Sequence, residues 1–279
     1  MITSSMVQRT VVVFSCLLFT FAVYSQTIYW GVGSAVGVPD AEFRNNFLQA
    51  SSYAPGDNPT SWTALTEFDD SGNNTPGAAY WVRSTTGVSQ GAYAAGMPPV
   101  PSASVANGVA LFDSDFLDNA GTPLPAGAGL GTSSANQRGS LISPRIDLTG
   151  ATSIPLVLEF FCQYRPFQAT EWSVSMSEDD GLTWTGSVSI SCVFPSATGN
   201  TASGVVRCFF PTFTTGVTNL TQCRIKFTFE GQYYYYMLDD VSLQSAPAFD
   251  IGIGNTDANG SSYFTVGNMV RMGGGNAHI

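Results

Sequence analysis

The chain has a single histidine, His278 near its end, and a single lysine, Lys226, and only 11% of its 279 residues are charged. With one histidine, a Ser-His-Asp or Cys-His arrangement lacks its base. The same scarcity, together with the absence of any Cys-x-x-Cys spacing, argues against the usual zinc donor sets. Ten basic residues against twenty acidic ones leave a formal net charge of −10. No basic patch is available to displace phosphate counter-ions, which argues against nucleic acid as a partner. Helical periodicity is missing after residue 25, and no signature recurs at the blade spacing a propeller would need.

What the chain does have is 29 glycines, 15 prolines and 13% aromatic residues, the composition of an all-β extracellular protein with elaborate loops. Residues 1–25 read as an export signal. Arg9 is the basic element, "TVVVFSCLLFTFAV" is the apolar stretch, and "VYS" before Gln26 offers a small residue at the cleavage point. That apolar run is shorter than the ~20 residues of a spanning helix, so the expectation is a secreted or cell-surface protein with no membrane span once the signal is removed. Cys16 falls in the signal and leaves Cys162, Cys192, Cys208 and Cys223. An oxidising destination favours pairing. Cys192 and Cys208 flank the turn-rich "VFPSATGNTASGVVR" and are expected to close it as a hairpin, worth ~3 kcal/mol for a loop of that length, with Cys162 and Cys223 as the second pair. The alternative is free cysteines packed as small apolar residues, since each lies in phase with the apolar face of a strand.

The strands are legible as alternation. Trp172, Val174 and Met176 alternate with serines before the turn "SEDDGLTWTG"; Leu182, Trp184, Val188 and Ile190 alternate with Ser and Thr after it, which predicts a half-buried hairpin. The Ser-x-Asp-x-Gly-x-Thr-Trp spacing in that turn resembles the Asp-box of sialidase-type propellers, but it occurs once, and Asp179, Asp180 and Gly181 suit a structural turn. "IPLVLEFFCQY", "GVVRCFF", "CRIKFTFEG" and "YYYYMLDDVSL" supply further strands. "PPVPSAS" and "AGTPLPAGAGLGTSS" read as long loops of the kind that carry binding variation. The fold expected is a two-sheet antiparallel β-sandwich.

"SWTALTEFDDSGNN", "GSLISPRIDLTGATSIPLVLEFFCQYR", "WSVSMSEDDGLTWTG" and "YYYYMLDDVSL" follow one another in an order that resembles the MAM-like jelly-roll modules of secreted bacterial surface proteins, including the cleaved-adhesin and choice-of-anchor J types common in Bacteroidota. The resemblance implies a jelly-roll sandwich over residues 26–246, adhesion or glycan binding, structural calcium, and neighbouring modules in the same polypeptide. Residues 247–279 read as a linker and the start of a following β unit, or else as a peripheral strand pair of the same sandwich.

By resemblance to the family's "DDV" ending, Asp239 or Asp240 is the expected calcium ligand, with Asp69 and Asp70 facing it from an early loop and Asp113 and Asp115 as weaker candidates; carboxylates suit this cation. In an unbulged strand Asp239 shares a phase with Tyr235, Met237, Val241 and Leu243, where a bare charge is costly. The competing role for Asp239 is as a hydrogen-bond acceptor. Trp62, Tyr80, Trp81, Tyr234 and Tyr236 are the candidate stacking faces for a sugar, against a plain core role. Glu67, Glu159, Glu171 and Glu178 are available for glycoside hydrolysis, although no spacing brings two of them together. The expected function is therefore a non-catalytic module that binds a glycan or an extracellular protein; the alternatives are a structural spacer without a ligand and a glycosidase.

Overall fold

The computed structural model describes residues 27–32, 41–69, 75–94, 96–119, 136–151, 156–165, 171–189, 201–210, 220–232 and 234–245, together with three short strands farther on. The export signal, Asp70, Cys192, Tyr233 and His278 lie outside the described residues. The strands in chain order are β1 (Ile28–Gly31), β2 (Leu48–Ala50), β3 (Thr63–Phe68), β4 (Val82–Ser84), β5 (Val109–Asp113), β6 (Gln137–Ile142), β7 (Leu156–Arg165), β8 (Glu171–Ser177), β9 (Thr185–Ser189), β10 (Ala202–Phe210), β11 (Arg224–Gly231), β12 (Tyr235–Ser245), β13 (Gly254–Thr256), β14 (Ser262–Phe264) and β15 (Met269–Arg271). One six-residue helix, α1 (Ser114–Asn119), follows β5 directly. Among the described residues no helix is long and apolar enough to cross a membrane.

Two sheets face each other in a jelly-roll sandwich. One has the order β15-β10-β7-β12-β5-β4, with β1 also on β12; the other runs β2-β3-β6-β11-β8-β9. Pairing is antiparallel except at two edges, where β2 lies parallel to β3 and β15 parallel to β10. The core between the sheets takes Phe160, Cys162 and Tyr164 from β7, Tyr236, Leu238, Val241 and Leu243 from β12, Trp172, Val174 and Met176 from β8, and Phe227 and Phe229 from β11. On β7, β8 and β11 these are alternating positions that share one face of the strand; on β12 the phase changes between Leu238 and Val241.

Trp62 and Trp81 join that core, 2% and 0% exposed, so neither is a sugar platform. Trp62 packs on Phe43, and Trp81 packs edge-on against Phe112 and Tyr236 while its indole N–H donates to the Gly139 carbonyl. Tyr236 is equally enclosed. Wide aromatic side chains from several strands and from the residues just before β3 and β4 fill the gap between sheets, and this use competes directly with display at the surface.

The disulfide expectations fail for the same reason of layering. Cys162, Cys208 and Cys223 are free and buried. Strand β10 pairs with β7 in one sheet and β9 with β8 in the other, so β9 and β10 do not form a hairpin, and Cys208 is free; its expected partner Cys192 lies outside the described residues. Cys162 sits on β7, and Cys223 bridges Ile146 in the opposite layer, where its thiol donates to the Leu220 carbonyl. Burial pushes the Cys208 and Cys223 thiols up to about 12 and Cys162 higher still. They are small apolar side chains in a packed interior.

The Asp-box-like turn is a structural knot. Ser177 Oγ accepts from the Gly181 N–H and donates to Asp179, whose other contacts are the Thr183 N–H and hydroxyl. Asp180, with φ of 61°, turns inward and is buried. It accepts from Arg224 Nε at 2.8 Å, from two nitrogens of Arg145, and from the Gly56 N–H. Arg224 is itself fully buried and spends its remaining donors on the carbonyls of Asp57, Asn58 and Ser143. Burial alone would raise the Asp180 pKa; the two guanidinium partners hold it below the ordinary carboxylate range instead. The hairpin is shorter on its far side than the alternation predicts: Leu182 is 69% exposed, and Trp184 lies under the Lys226 ammonium rather than in the core. A bulge between Val174 and Met176 resets the phase.

Two predictions follow from this layer. Asp180→Ala leaves Arg224 buried without its counter-ion and should cost about 3–5 kcal/mol in urea unfolding, whereas Asp179→Ala at the rim should cost about 1 kcal/mol. Alkylation with mass mapping should leave Cys162, Cys208 and Cys223 unmodified in the native protein and label all three after denaturation; labelling of the native protein, or recovery of any of the three in a disulfide, would contradict the burial described.

Candidate functional site

Strand β12 carries the largest departure from simple alternation. Asp239 pairs with Phe161 but Ser242 with Glu159, so β12 holds one extra residue there, and Asp240 takes a φ of 50°. The bulge shifts the inward phase from Tyr236 and Leu238 to Val241 and Leu243. Asp239 therefore does not share a face with Val241 and Leu243. It lies with Tyr235 and Met237 on the outer face of the sheet, and Asp240 turns toward the same place.

That outer face is covered by the chain between β4 and β5. Ala94, Met97, Val100 and Val105 from this strap pack on Val109, Leu111, Tyr235 and Met237 in a second, smaller core. The strap is clasped at one end by Ser102 and Ser104. Ser102 bonds to Asp239, Ser104 bonds to Asp240 at 2.5 Å and to Asp239 at 3.0 Å, and the Asp240 N–H donates to Asp239 Oδ1. Tyr234, with a φ of 61°, lies under the Arg165 guanidinium, 4.0 Å from its ring centroid. It packs against the strap's small core, partly buried, which leaves its ring face covered by a cation.

At its other end the strap is held by Asp113 and Asp115. Asp113 Oδ1 accepts from the Ser89 hydroxyl at 2.6 Å and Oδ2 from the Gln90 N–H at 2.6 Å; Asp115 Oδ2 accepts from the Ala94 N–H. Asp113 also caps α1, because Oδ1 receives the Phe116 N–H at 3.3 Å. The sequence motif "FDSDFLDN" held this cap signal, yet the helix it starts is too short to show periodicity.

Calcium does not fit what the described residues assemble. The ion takes about six to eight oxygens, and among the described residues no three Asp, Glu, His or Cys side chains form a group that could hold a metal ion. Asp69 closes a loop by accepting the Ala78 N–H. Asp239 and Asp240 face serine hydroxyls, and the acceptor sites of Asp113 are taken by the strap and the helix cap.

A cavity of about 470 Å³ opens where the strap leaves β4, within the ~300–1,000 Å³ range of small-ligand sites. It is lined by Tyr80 and Val82, by Thr85, Thr86 and Gln90 of the strap, by Phe116 and Leu117 of α1, by Gln49 from the edge strand of the other sheet, and by the buried Asp113. Phe116 is 43% exposed and Val82 40%. Of the five aromatic residues expected to offer stacking faces, Tyr80 alone lines this cavity, and Phe116 was not among them. Arg83 also lines it, but its donors go to the carbonyls of Phe43 and Asn107. Both charged groups of the wall thus make internal bonds.

The fold also brings acids together that the sequence left apart. On the outer face of the second sheet Arg138 bonds to Glu67, Glu171 and Glu230 at 2.5–2.6 Å. Strands β3, β6, β11 and β8 lie side by side there, which no spacing along the chain reveals. Glu159 pairs with Arg207 on the other sheet, and Glu178 stays in the hairpin turn.

No protein-family profile matches the chain, and no curated protein matches it. Solved structures similar to it include a carbohydrate-binding module, TmCBM61, in complex with β-1,4-galactotriose, at 12% identity over 70% of this chain and 100% of that one, with a TM-score of 0.34. The K1 cleaved-adhesin domain of Lys-gingipain from Porphyromonas gingivalis W83 is 17% identical over 74% and 96% of the two chains, with a TM-score of 0.36. The K3 domain of the same protein is 14% identical over 74% and 97%, also at 0.36. Likeness at this level assigns no ligand to this chain.

Burial pushes the carboxyls of Asp113 and Asp239 up to about 6, against about 3.9 for an unfolded aspartate. The folded state then binds these protons more tightly than the unfolded state, so the contribution of both groups to stability rises as pH falls from above 6 toward 4. Asp147, Asp179 and Asp180 are shifted downward and act in the opposite sense only below about 4. The melting temperature measured by calorimetry should therefore be higher at pH 5 than at pH 7.5. Asp113→Asn together with Asp239→Asn should flatten that dependence.

Proposed function

We propose that this chain is a non-catalytic, exported β-sandwich module that binds a neutral glycan in the cavity between β4, the strap and α1. The observation that carries the reading is the wall chemistry: exposed ring and aliphatic surface from Phe116 and Val82 and the partly buried ring of Tyr80, beside the amides of Gln49 and Gln90 and the hydroxyls of Thr85 and Thr86, with Arg83 and Asp113 both making internal bonds. A sugar presents apolar C–H faces to rings and hydroxyls to amides, and it brings no charge that would need a free counter-ion here. The N-terminal export signal read from the sequence agrees with an extracellular ligand. Arg138 argues against the glycosidase alternative, because it ties the three clustered glutamates together as its counter-ions, where hydrolysis needs one carboxyl free to act as acid. Calcium has no part in this reading.

An array of neutral and sialylated oligosaccharides tests it. Neutral glycans should bind, and Tyr80→Ala and Phe116→Ala should each weaken binding roughly tenfold, the scale of one lost aromatic contact; the melting temperature should change little for Phe116→Ala and fall for Tyr80→Ala, whose ring also packs on the main core. Trp81→Ala should instead cost about 3–5 kcal/mol of stability. Binding confined to sialylated glycans would contradict the neutral site, and binding to none would favour the spacer alternative.

A further inference from the structure

Val82 is the part of the cavity that a plain hexose does not use. It stands on β4, at the edge of its sheet, and pairs with Leu111 of β5, so the two aliphatic side chains lie side by side on the outer face. Leu111 is packed into the strap's small core at 2% exposure, whereas Val82 beside it is 40% exposed. Val88 of the strap adds a third branched aliphatic side chain to the lining. A pyranose lays its C–H face on a flat ring, and Phe116 and Tyr80 offer such rings. Branched side chains make a knobbed surface instead, and the group that seats on it is a methyl.

Polar groups stand close to that surface. Asp113 is two residues beyond Leu111 on β5 and shares its face. Its Oδ2 accepts the Gln90 N–H at 2.6 Å, which pins the Gln90 backbone one outward-facing position along β5 from the Val82–Leu111 pair. The Gln90 side chain is exposed, as is that of Gln49, and among the described residues nothing bonds either amide. Each amide offers two N–H donors and a carbonyl acceptor. An aliphatic patch and an open amide thus lie next to each other, and one substituent that carries both a methyl and an amide would meet the two together.

We propose that the cavity selects a sugar bearing an N-acetyl group, a 2-acetamido-2-deoxyhexose, with the acetyl methyl on Val82 and Leu111 and the acetamido N–H and C=O paired with the Gln90 amide. The inference deepens the glycan-binding reading and rests on it. The acetamido group is neutral, so Arg83 and Asp113 keep the bonds they already make. A plain hexose would instead hold a hydroxyl against Val82, where it loses water and gains no partner. A 6-deoxy sugar brings a methyl, but on a ring carbon with no amide beside it, and leaves Gln90 to an ordinary hydroxyl.

The experiment is an NMR-detected binding titration of the whole chain with matched sugars that differ at one substituent. These are the N-acetyl, N-formyl and 2-hydroxy forms of the gluco and galacto series, with a 6-deoxyhexose alongside. The N-formyl form keeps the amide and lacks only the methyl. The N-acetyl form should bind roughly tenfold more tightly than the N-formyl form, the scale of one methyl in an apolar site. The N-formyl form should in turn exceed the 2-hydroxy form by roughly two- to tenfold, the scale of one net hydrogen bond.

Val82→Thr exchanges one methyl for a hydroxyl at nearly constant shape and should reduce the acetyl-over-formyl ratio to about twofold or less; Val82→Ala serves if that variant does not fold. Gln90→Leu keeps the backbone N–H that Asp113 accepts and should remove the formyl-over-hydroxy preference. Both readouts are ratios within one variant. A substitution that only deforms the cavity lowers every affinity and leaves its ratios as they were.

Equal binding of the N-acetyl and 2-hydroxy forms, or tighter binding of the 6-deoxyhexose, would overturn the proposal and leave the neutral-glycan reading standing. Ratios that survive in both the Val82 and the Gln90 variants would overturn it as well, since the acetamido group would then bind elsewhere. If no neutral sugar binds, the proposal and the reading it rests on fail together.

Discussion

The bulge in β12 is the constraint on which the rest of the cavity side of the molecule depends. β12 lies at the centre of its sheet, with β7 along one edge and, along the other, β5 beside its first half and β1 beside its second. A single uninterrupted phase cannot bury both Tyr236 with Leu238 and Val241 with Leu243, because the spacing between the two pairs is odd. The extra residue reconciles them. It also places Asp239 and Asp240 at the outer face at the point where the neighbour changes from β5 to β1, and there the two carboxylates meet the serines of the strap.

From that clasp the consequences run along the strap to the cavity. Twenty or so residues between short strands would ordinarily be a mobile surface loop. Here the small core on Tyr235 and Met237 holds the middle, Asp239 and Asp240 hold one end, and Asp113 with Asp115 holds the other. The strap is anchored at both ends by buried acids, and the cavity opens beside the second of these anchors. Both anchors sit on β5 and β12, which pair directly, Asp113 opposite Tyr235, so the geometry of the wall is set by the sheet.

How much of this was legible in the sequence follows from the range of each interaction. Alternation is local, and it gave strands at β7, β8, β10, β11 and β12 and the inward residues Trp172, Val174 and Met176 of β8 and Val241 and Leu243 of β12, but it put Tyr235 and Met237 on that inward face where the structure has Tyr236 and Leu238. The turn chemistry of Ser177, Asp179, Gly181 and Thr183 is local as well, and its structural reading stands. Asp180 was assigned to that turn, but its partners Gly56, Arg145 and Arg224 come from three distant segments, and nothing in the spacing announces them. Likewise the meeting of Glu67, Glu171 and Glu230 at Arg138 is a fact of strand order. The bulge misled the reading of Asp239 because one inserted residue inverts every later side chain, and alternation is read on the premise that none is present.

The aromatic residues show the same limit in another form. Trp62, Trp81 and Tyr236 were candidates for display because large rings serve recognition and core packing equally well, and composition does not separate the two. The separation comes from which element a ring stands on. Rings on or beside paired strands have a facing sheet to fill, as Trp81 does against Phe112 and Tyr236. Tyr80, one residue earlier, is partly buried against the same core and also lines the cavity. Phe116, on a helix of six residues with no partner layer above it, stays exposed. A six-residue helix has no apolar face wide enough to bury all its large side chains, so a capped, isolated turn such as α1 necessarily leaves one of them at the surface. The residue so placed is held there by the carboxylate of Asp113, which makes the cap of a short helix the structural determinant of the cavity's most exposed ring.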